Sequence, residues 1–150
     1  MKNLFEPSDL EALSARIAQL RPDSNRQWGK MSVSQTLAHC SLGVQTATGE
    51  LRPPRKLIGR LLGPLIKPKV VGDDQPMRRN SPTLPETIVL NEPDFATEQA
   101  RLIASLHQFS AAGPNGCTSH PHAFFGPLTP NEWAILLHKH IDHHLRQFGV

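Results

Sequence analysis

Hydrophobic residues recur at helical spacing in four stretches of the chain, and each stretch predicts one amphipathic helix. The predicted helices span about residues 8–21, 32–50, 94–112 and 130–148. Within each stretch the apolar residues lie three or four positions apart, which places them on one face of an α-helix. One other segment, residues 87–90, resembles a strand, but a single strand cannot form a sheet.

Three of these stretches also carry a helix start signal. In a capping box, a Ser or Thr side chain and a Glu or Gln three residues later satisfy each other's free backbone N–H groups. The chain has this pattern at Ser8 with Glu11, Ser32 with Gln35, and Thr129 with Glu132. Pro130 then occupies the first helical position, where its missing N–H has no cost.

Proline indicates where helices should not run. The chain has 14 prolines in 150 residues, and eight of them lie between Pro53 and Pro93. Because proline disrupts helix interiors, we expect long helices only in the proline-free stretches, and about two turns at most within residues 52–69. The sequence therefore predicts an all-α fold of one domain (1–150): an antiparallel four-helix bundle with a long proline-rich crossover between the second and third helices.

The last predicted helix contains a pair of histidines within its apolar stripe. His140 and His144 are four residues apart, so their imidazoles can point at one ion, as in many helical metal sites. The alternative is two neutral core histidines, each with a hydrogen-bond partner. Ile141 stands where a helical zinc peptidase has its glutamate, which argues against that class. His138 is predicted to point away from the stripe.

A metal site needs a third ligand, and the spacing leaves its identity open. His39 is the one histidine of the second predicted helix, but it lies on the flank of that helix's apolar stripe. Cys117, His120 and His122 form a rival cluster in the loop before the last helix. His122 is also a candidate catalytic residue, as a proton carrier beside the metal. His107 is expected to be structural or exposed.

Composition adds a modest basic character. The net charge is +3, and six Lys or Arg residues alternate with leucine and isoleucine over residues 52–69, with no acidic residue between Glu50 and Asp73. We interpret this segment as a solvated cover over the bundle; a membrane or nucleic-acid surface and the attraction of an anionic substrate are alternatives. Lacking a signal-peptide pattern and a long apolar span, the chain is expected to be cytoplasmic, with no nucleic-acid partner and no stable membrane association.

Four segments together resemble an uncharacterised bacterial branch of the DinB/YfiT-like superfamily. They are residues 28–40 (WGKMSVSQTLAHC), 77–83 (MRRNSPT), 122–129 (HAFFGPLT) and 139–149 (KHIDHHLRQFG). The resemblance implies a four-helix bundle with a long crossover. It also implies a divalent metal held by one histidine of the second helix and a pair on the last. Carried onto this chain, the implied ligands are His39, His140 and His144.

These observations lead to two functional hypotheses. The first is a metal-dependent enzyme, either a thiol-dependent S-transferase or a hydrolase, acting on a small, anionic substrate such as a low-molecular-weight thiol. Its metal is expected to be Zn²⁺ or Ni²⁺, with Fe²⁺ or Mn²⁺ as further options, and His122 is the expected proton-handling group. The second is a non-catalytic, metal-containing bundle that binds partners or forms a homodimer.

Overall fold

The chain folds into five α-helices in the computed structural model, which describes all residues 1–150. In chain order the helices are α1 (Pro7–Ala18), α2 (Val33–Thr48), α3 (Leu57–Val71), α4 (Phe95–Ala112) and α5 (Pro130–Gln147). Short 3₁₀ turns span Pro85–Thr87 and Gly113–Gly116. The strand-like residues 87–90 form no strand, and the fold is all-α as predicted.

Helices α1, α2, α4 and α5 enclose the hydrophobic core. Both α1 and α2 pack against α4 and α5, and the core holds 22 buried hydrophobic residues. Helix α5 lies deepest, because six consecutive residues from Trp133 to His138 are buried. These four helices are the ones that the periodicity predicts. Their antiparallel bundle arrangement stays a prediction.

Two of the three predicted capping boxes are present. The Ser32 and Gln35 side chains cap each other's backbone at the start of α2, and Thr129 and Glu132 do the same at α5. The prediction for Ser8 was wrong, because α1 begins one residue earlier, with no side-chain cap. Proline at the first helical position already has the required φ and no free N–H, so the helix starts there without a serine cap.

Helix α3 contradicts the expectation that no long helix lies within residues 52–69. It runs for 15 residues and contains Pro64 and Pro68 in its interior. The two prolines are four residues apart and exposed, so the hydrogen bonds they remove lie on one outer side, where water can satisfy the freed carbonyl groups. The predicted crossover therefore includes a fifth helix.

Helix α3 is attached to the rest of the molecule through two glycines. Gly59 and Gly63 are buried one turn apart against the backbone of Phe124. Salt bridges flank this contact, from Lys56 Nζ to Glu86 (2.6 Å) and from Lys67 Nζ to Glu132 (2.8 Å). The close approach fixes which side of α3 faces inward. No helix in the structure has the length and apolarity needed to cross a membrane.

Candidate metal centre

Helices α2 and α5 bring three histidines together in the interior. One ring nitrogen from each of His39, His140 and His144 lies within 4.8 Å of the others. Nε2 of His39 is 2.9 Å from Nε2 of His140. His39 and His144 are buried and His140 is partly exposed. The flank of α2 that carries His39 therefore faces α5, which the periodicity of α2 could not establish.

Hydrogen bonds fix the orientation of two of these rings. His39 Nδ1 donates to the carbonyl oxygen of Thr87, at 2.9 Å. His144 Nδ1 is 2.9 Å from Oε1 of Gln147, whose amide nitrogen donates to the carbonyl of Trp28 at 2.6 Å. Because that amide donates to Trp28, its oxygen must accept from His144. Both rings thus carry their proton on Nδ1 and present an Nε2 lone pair.

The third ring, that of His140, fits because α2 has a glycine opposite it. A Cβ atom at Gly43 would lie 3.1 Å from His140 Nδ1 and 3.3 Å from Cε1. These are tighter contacts than a side chain and a ring normally make. Glycine at this position therefore lets the His140 imidazole lie between the two helices and reach the other two rings.

Burial keeps all three imidazoles neutral. Desolvation is the largest cause of a lowered pKa for each of them, and nearby imidazoles lower it further. The pKa of His144 falls to about 3, and that of His140 falls well below its ordinary value. The Thr87 carbonyl acts in the opposite direction on the pKa of His39. No carboxylate is among the groups that shift these three pKa values.

His122 lies near the cluster in a fixed tautomer. Its Nδ1 accepts the backbone N–H groups of Phe124 and Phe125, both at 3.1 Å, so the ring proton is on Nε2. The ring stacks on Phe125 and lies 5.6 Å from the Trp133 ring, centroid to centroid. Burial, with a smaller effect of Arg55, lowers the pKa of His122 to about 4. The side chain is therefore an uncharged hydrogen-bond donor at neutral pH.

The rival cluster of Cys117, His120 and His122 is not assembled. The three histidines of α2 and α5 are the one group of at least three histidine, cysteine or acidic side chains within ligand distance. Cys117 Sγ instead lies 3.9 Å from the carbonyl of Pro130, and burial raises its thiol pKa to about 11. His120 Nε2 is buried without a hydrogen-bond partner.

The remaining histidines are dispersed. His107 is exposed, as expected, with Nε2 3.4 Å from Ser14 Oγ. The prediction that His138 points away from the core stripe was incomplete, because this side chain is only 6% exposed. It is buried on another side of α5, since α5 is surrounded by three other helices and the N-terminal segment rather than lying at the surface.

Sequence reasoning missed the residues that hold the rings in place. Gln147 could have been found from its position three residues after His144, which is one helical turn. No local signal marks Thr87, since it acts through its backbone carbonyl, or Gly43, which acts by lacking a side chain. The contact between the Arg79 guanidinium and the Trp28 ring, at 4.0 Å, also joins two segments that are distant in sequence.

The donor set fits a divalent transition-metal ion. Imidazole nitrogen is a preferred ligand of zinc, nickel, copper and iron. With metal–nitrogen bonds of about 2.0–2.1 Å, two ligands are about 2.9 Å apart at a right angle and about 3.3 Å apart at the tetrahedral angle of zinc. The 2.9 Å between His39 and His140 equals the first distance and is about 0.4 Å shorter than the second. A site with three protein ligands leaves at least one coordination position for water or a substrate.

The comparisons with known proteins identify a family. Residues 2–149 match the model of a family described as "Protein of unknown function (DUF1569)". The match covers nearly the whole chain, so the protein belongs to this family. Neither the curated proteins nor the solved structures include a match.

Proposed function

We propose that the protein binds one divalent metal ion through His39, His140 and His144. The observation that carries this proposal is the 2.9 Å contact between Nε2 of His39 and Nε2 of His140. The Thr87 carbonyl leaves His39 Nε2 as a lone pair, so the contact needs either a proton on His140 or a cation between the two rings. His144 presents a second lone pair to the same place, which favours a cation over a single proton.

We further propose that the site is catalytic and prefers an anionic ligand. When bound, the ion supplies Lewis acidity that lowers the pKa of a water or thiol ligand toward neutrality. The three histidines are neutral and no carboxylate contributes to their electrostatics, so the charge of the ion is left uncompensated by the protein. Arg55, beside His122, adds positive charge to the same region. A small thiolate, or the anionic substrate of a hydrolase, fits this charge balance.

In this proposal His122 keeps its proton on Nε2 and acts as a neutral hydrogen-bond donor. Its Nδ1 already accepts two backbone N–H groups, so it donates a hydrogen bond to a ligand's developing negative charge, as neutral catalytic histidines do. Acting as a general base would require the ring to give up both backbone contacts. We therefore expect His122→Gln, which keeps a donor amide, to retain more activity than His122→Phe.

The antiparallel four-helix bundle and membership of the DinB/YfiT-like superfamily remain part of the proposal. They are supported by the packing of α1, α2, α4 and α5 and by the position of the three histidines on α2 and α5. The non-catalytic alternative, a structural metal in a binding or dimerising bundle, predicts a coordinatively closed ion. A catalytic ion keeps an exchangeable position.

Metal analysis of protein purified without a polyhistidine tag tests the first step. Wild type should contain about one zinc or nickel ion per chain, and His140→Ala and His144→Ala should each contain less than about a tenth of that. His107→Ala, on exposed α4 surface, is the matched control and should retain the metal. Equal metal content in all four proteins would refute the site.

Cobalt(II) substitution separates an open site from a closed one. If the site is open, adding mercaptoacetate should produce a sulfur-to-cobalt charge-transfer band and shift the visible spectrum. A neutral thiol, 2-mercaptoethanol, should bind more weakly because the site favours anions. An unchanged spectrum with both thiols would support the structural alternative.

A further inference from the structure

The outer side of α3 is an apolar surface without a partner. Five of the eight large hydrophobic residues that the molecule exposes are on this one helix, namely Leu57, Ile58, Leu61, Leu62 and Leu65. We call these five residues, with the exposed Pro64 and Pro68 beside them, the α3 outer face. Leu61 and Leu65 are 76% and 70% exposed. Scattered exposed leucines are ordinary, but a contiguous apolar strip on one helix marks an interaction surface.

The α3 outer face cannot be buried by rotating the helix. The opposite side carries Gly59 and Gly63, where an added Cβ would collide with the backbone of Phe124. Turning a leucine inward would therefore require space that exists only for a hydrogen atom. The Lys67 salt bridge to Glu132 and its hydrogen bond to the Pro127 carbonyl hold the same orientation. The exposure of the leucines therefore follows from the way α3 packs against the rest of the protein.

The charges on α3 itself have one sign. Arg60 and Lys69 are exposed and lie on α3 without an ion-pair partner, and Arg52 lies just before the helix, also without one. No acidic residue occurs between Glu50 and Asp73. The nearby acids Glu86 and Glu132 already pair with lysines that point toward the body of the protein. The partner that complements this surface is therefore apolar and anionic.

We propose that α3 docks reversibly onto a lipid surface with anionic headgroups. An interfacial helix places leucines at the boundary between headgroups and acyl chains while flanking Lys and Arg bind the headgroups. Self-association fits the charges less well. A two-fold contact between α3 helices would bring two copies of Arg60 and Lys69 together with no acidic residue of α3 to neutralise them. The proposal is independent of the metal site.

Sedimentation with lipid vesicles tests the proposal. The protein of residues 1–150 should pellet at low salt with vesicles of phosphatidylcholine that contain phosphatidylglycerol. It should bind several-fold less to vesicles of pure phosphatidylcholine. Its binding to the vesicles with phosphatidylglycerol should also fall in about 0.5 M NaCl, because salt screens the attraction between the charges. Absence of binding to the anionic vesicles at low salt would overturn the proposal.

Two double variants identify the surface responsible. Leu61→Ser with Leu65→Ser should reduce the bound fraction at least fivefold, and Arg60→Glu with Lys69→Glu should do the same. Both pairs point outward, so the variants should keep the wild-type circular dichroism spectrum and melting temperature. Anionic-vesicle binding that survives both double variants would show that another surface binds lipid and would overturn the assignment to α3.

Matched controls and the competing partner complete the design. Leu90→Ser removes an exposed leucine outside α3 (88% exposed), and Lys2→Glu with Lys30→Glu changes the net charge by the same amount as the α3 charge variant. Both should bind vesicles like wild type. Light scattering after gel filtration should show a monomer. A dimer that the leucine double variant dissociates, together with no vesicle binding, would identify a second copy as the partner instead.

Discussion

Helices α5 and α3 are both amphipathic, yet their apolar residues face opposite environments. On α5, Trp133 and Leu137 are each 2% exposed, and two histidines of the candidate metal centre, His140 and His144, lie on the same helix. On α3, the leucines face outward and two glycines face inward. A helical apolar stripe predicts a surface that needs a partner, but it does not say whether that partner is the protein's own core.

A leucine-to-alanine substitution should affect the free energy of unfolding very differently on the two helices, and this is the largest predicted effect. Leu137→Ala should lower the free energy of unfolding by about 3 kcal/mol, because it leaves a cavity in the core. Leu61→Ala should change it by less than about 0.5 kcal/mol, since that side chain is exposed. Urea unfolding followed by circular dichroism measures both. Similar losses for the two variants would mean that Leu61 is covered in solution.

The α5 side of the comparison also predicts a loss of metal affinity. Gln147→Ala removes the acceptor that orients His144 and should weaken metal binding about 10–100-fold. Gln147→Glu keeps an acceptor at that position and should weaken binding less. Competition with a chelating dye measures the affinity. Leu61→Ser on α3 serves as the control, and an effect of Leu61→Ser as large as that of Gln147→Ala would contradict the separation of the two regions.

The inner side of α3 should be intolerant of a single methyl group. Alanine is normally a better helix former than glycine by about 1 kcal/mol, but Gly63→Ala should destabilise the protein by about 1–2 kcal/mol because the methyl group meets Phe124. Pro64→Ala, on the outer side, should cause no loss. Thermal unfolding and limited proteolysis at α3 compare the two. Stabilisation by Gly63→Ala would show that α3 does not rest on Phe124.

The last predicted effect is a pH dependence of stability that the buried histidines cause. Each has a pKa lowered in the folded state, so below about pH 6.5 the unfolded chain binds more protons and stability falls as pH falls. For His122 the loss continues to its folded pKa of about 4. The slope of the unfolding free energy against pH measures how many more protons the unfolded chain binds than the folded one. In metal-free protein, His122→Gln should lower that number by about one in this pH window.

Vesicle binding through α3 provides the contrast. Its cations are lysine and arginine, which stay charged throughout this pH range, so binding should be constant between pH 7 and 6 while the protein remains folded.

For the stability experiment, a slope of unfolding free energy against pH that is identical in wild type and His122→Gln would contradict the assignment of a neutral, buried His122.

The comparison of the two helices also explains which predictions from the sequence were correct. Residues 52–69 were expected to hold no long helix, yet α3 forms there because Pro64 and Pro68 both lie on its outer side. The rule that proline disrupts a helix interior assumes that the lost hydrogen bonds matter equally on all sides. The start of α5 was predictable, since Thr129, Pro130 and Glu132 act within one turn. The start of α1 was not, because the helix begins at Pro7 with no side-chain cap.

The residues of the candidate metal centre also fall into two groups, those that the sequence could indicate and those that only the folded chain brings together. The spacing of His140 and His144 was sufficient to pair them, because four residues are one turn of a helix. His39 was supplied by the resemblance to a family, since its position on the flank of α2 matches no particular neighbour. Gln147, Thr87 and Gly43 shape the site through contacts that need the folded chain.

The sequence alone therefore determined what lies within a few residues: four helices, the caps of α2 and α5, and the histidine pair. Helix periodicity and capping depend on neighbours one turn away, and these can be counted along the chain. The tertiary structure decided which faces are buried, which tautomer His39, His122 and His144 adopt, and that His39 meets His140 across 101 positions. Such contacts depend on how helices pack, and packing at a glycine such as Gly63 can turn an apolar face outward.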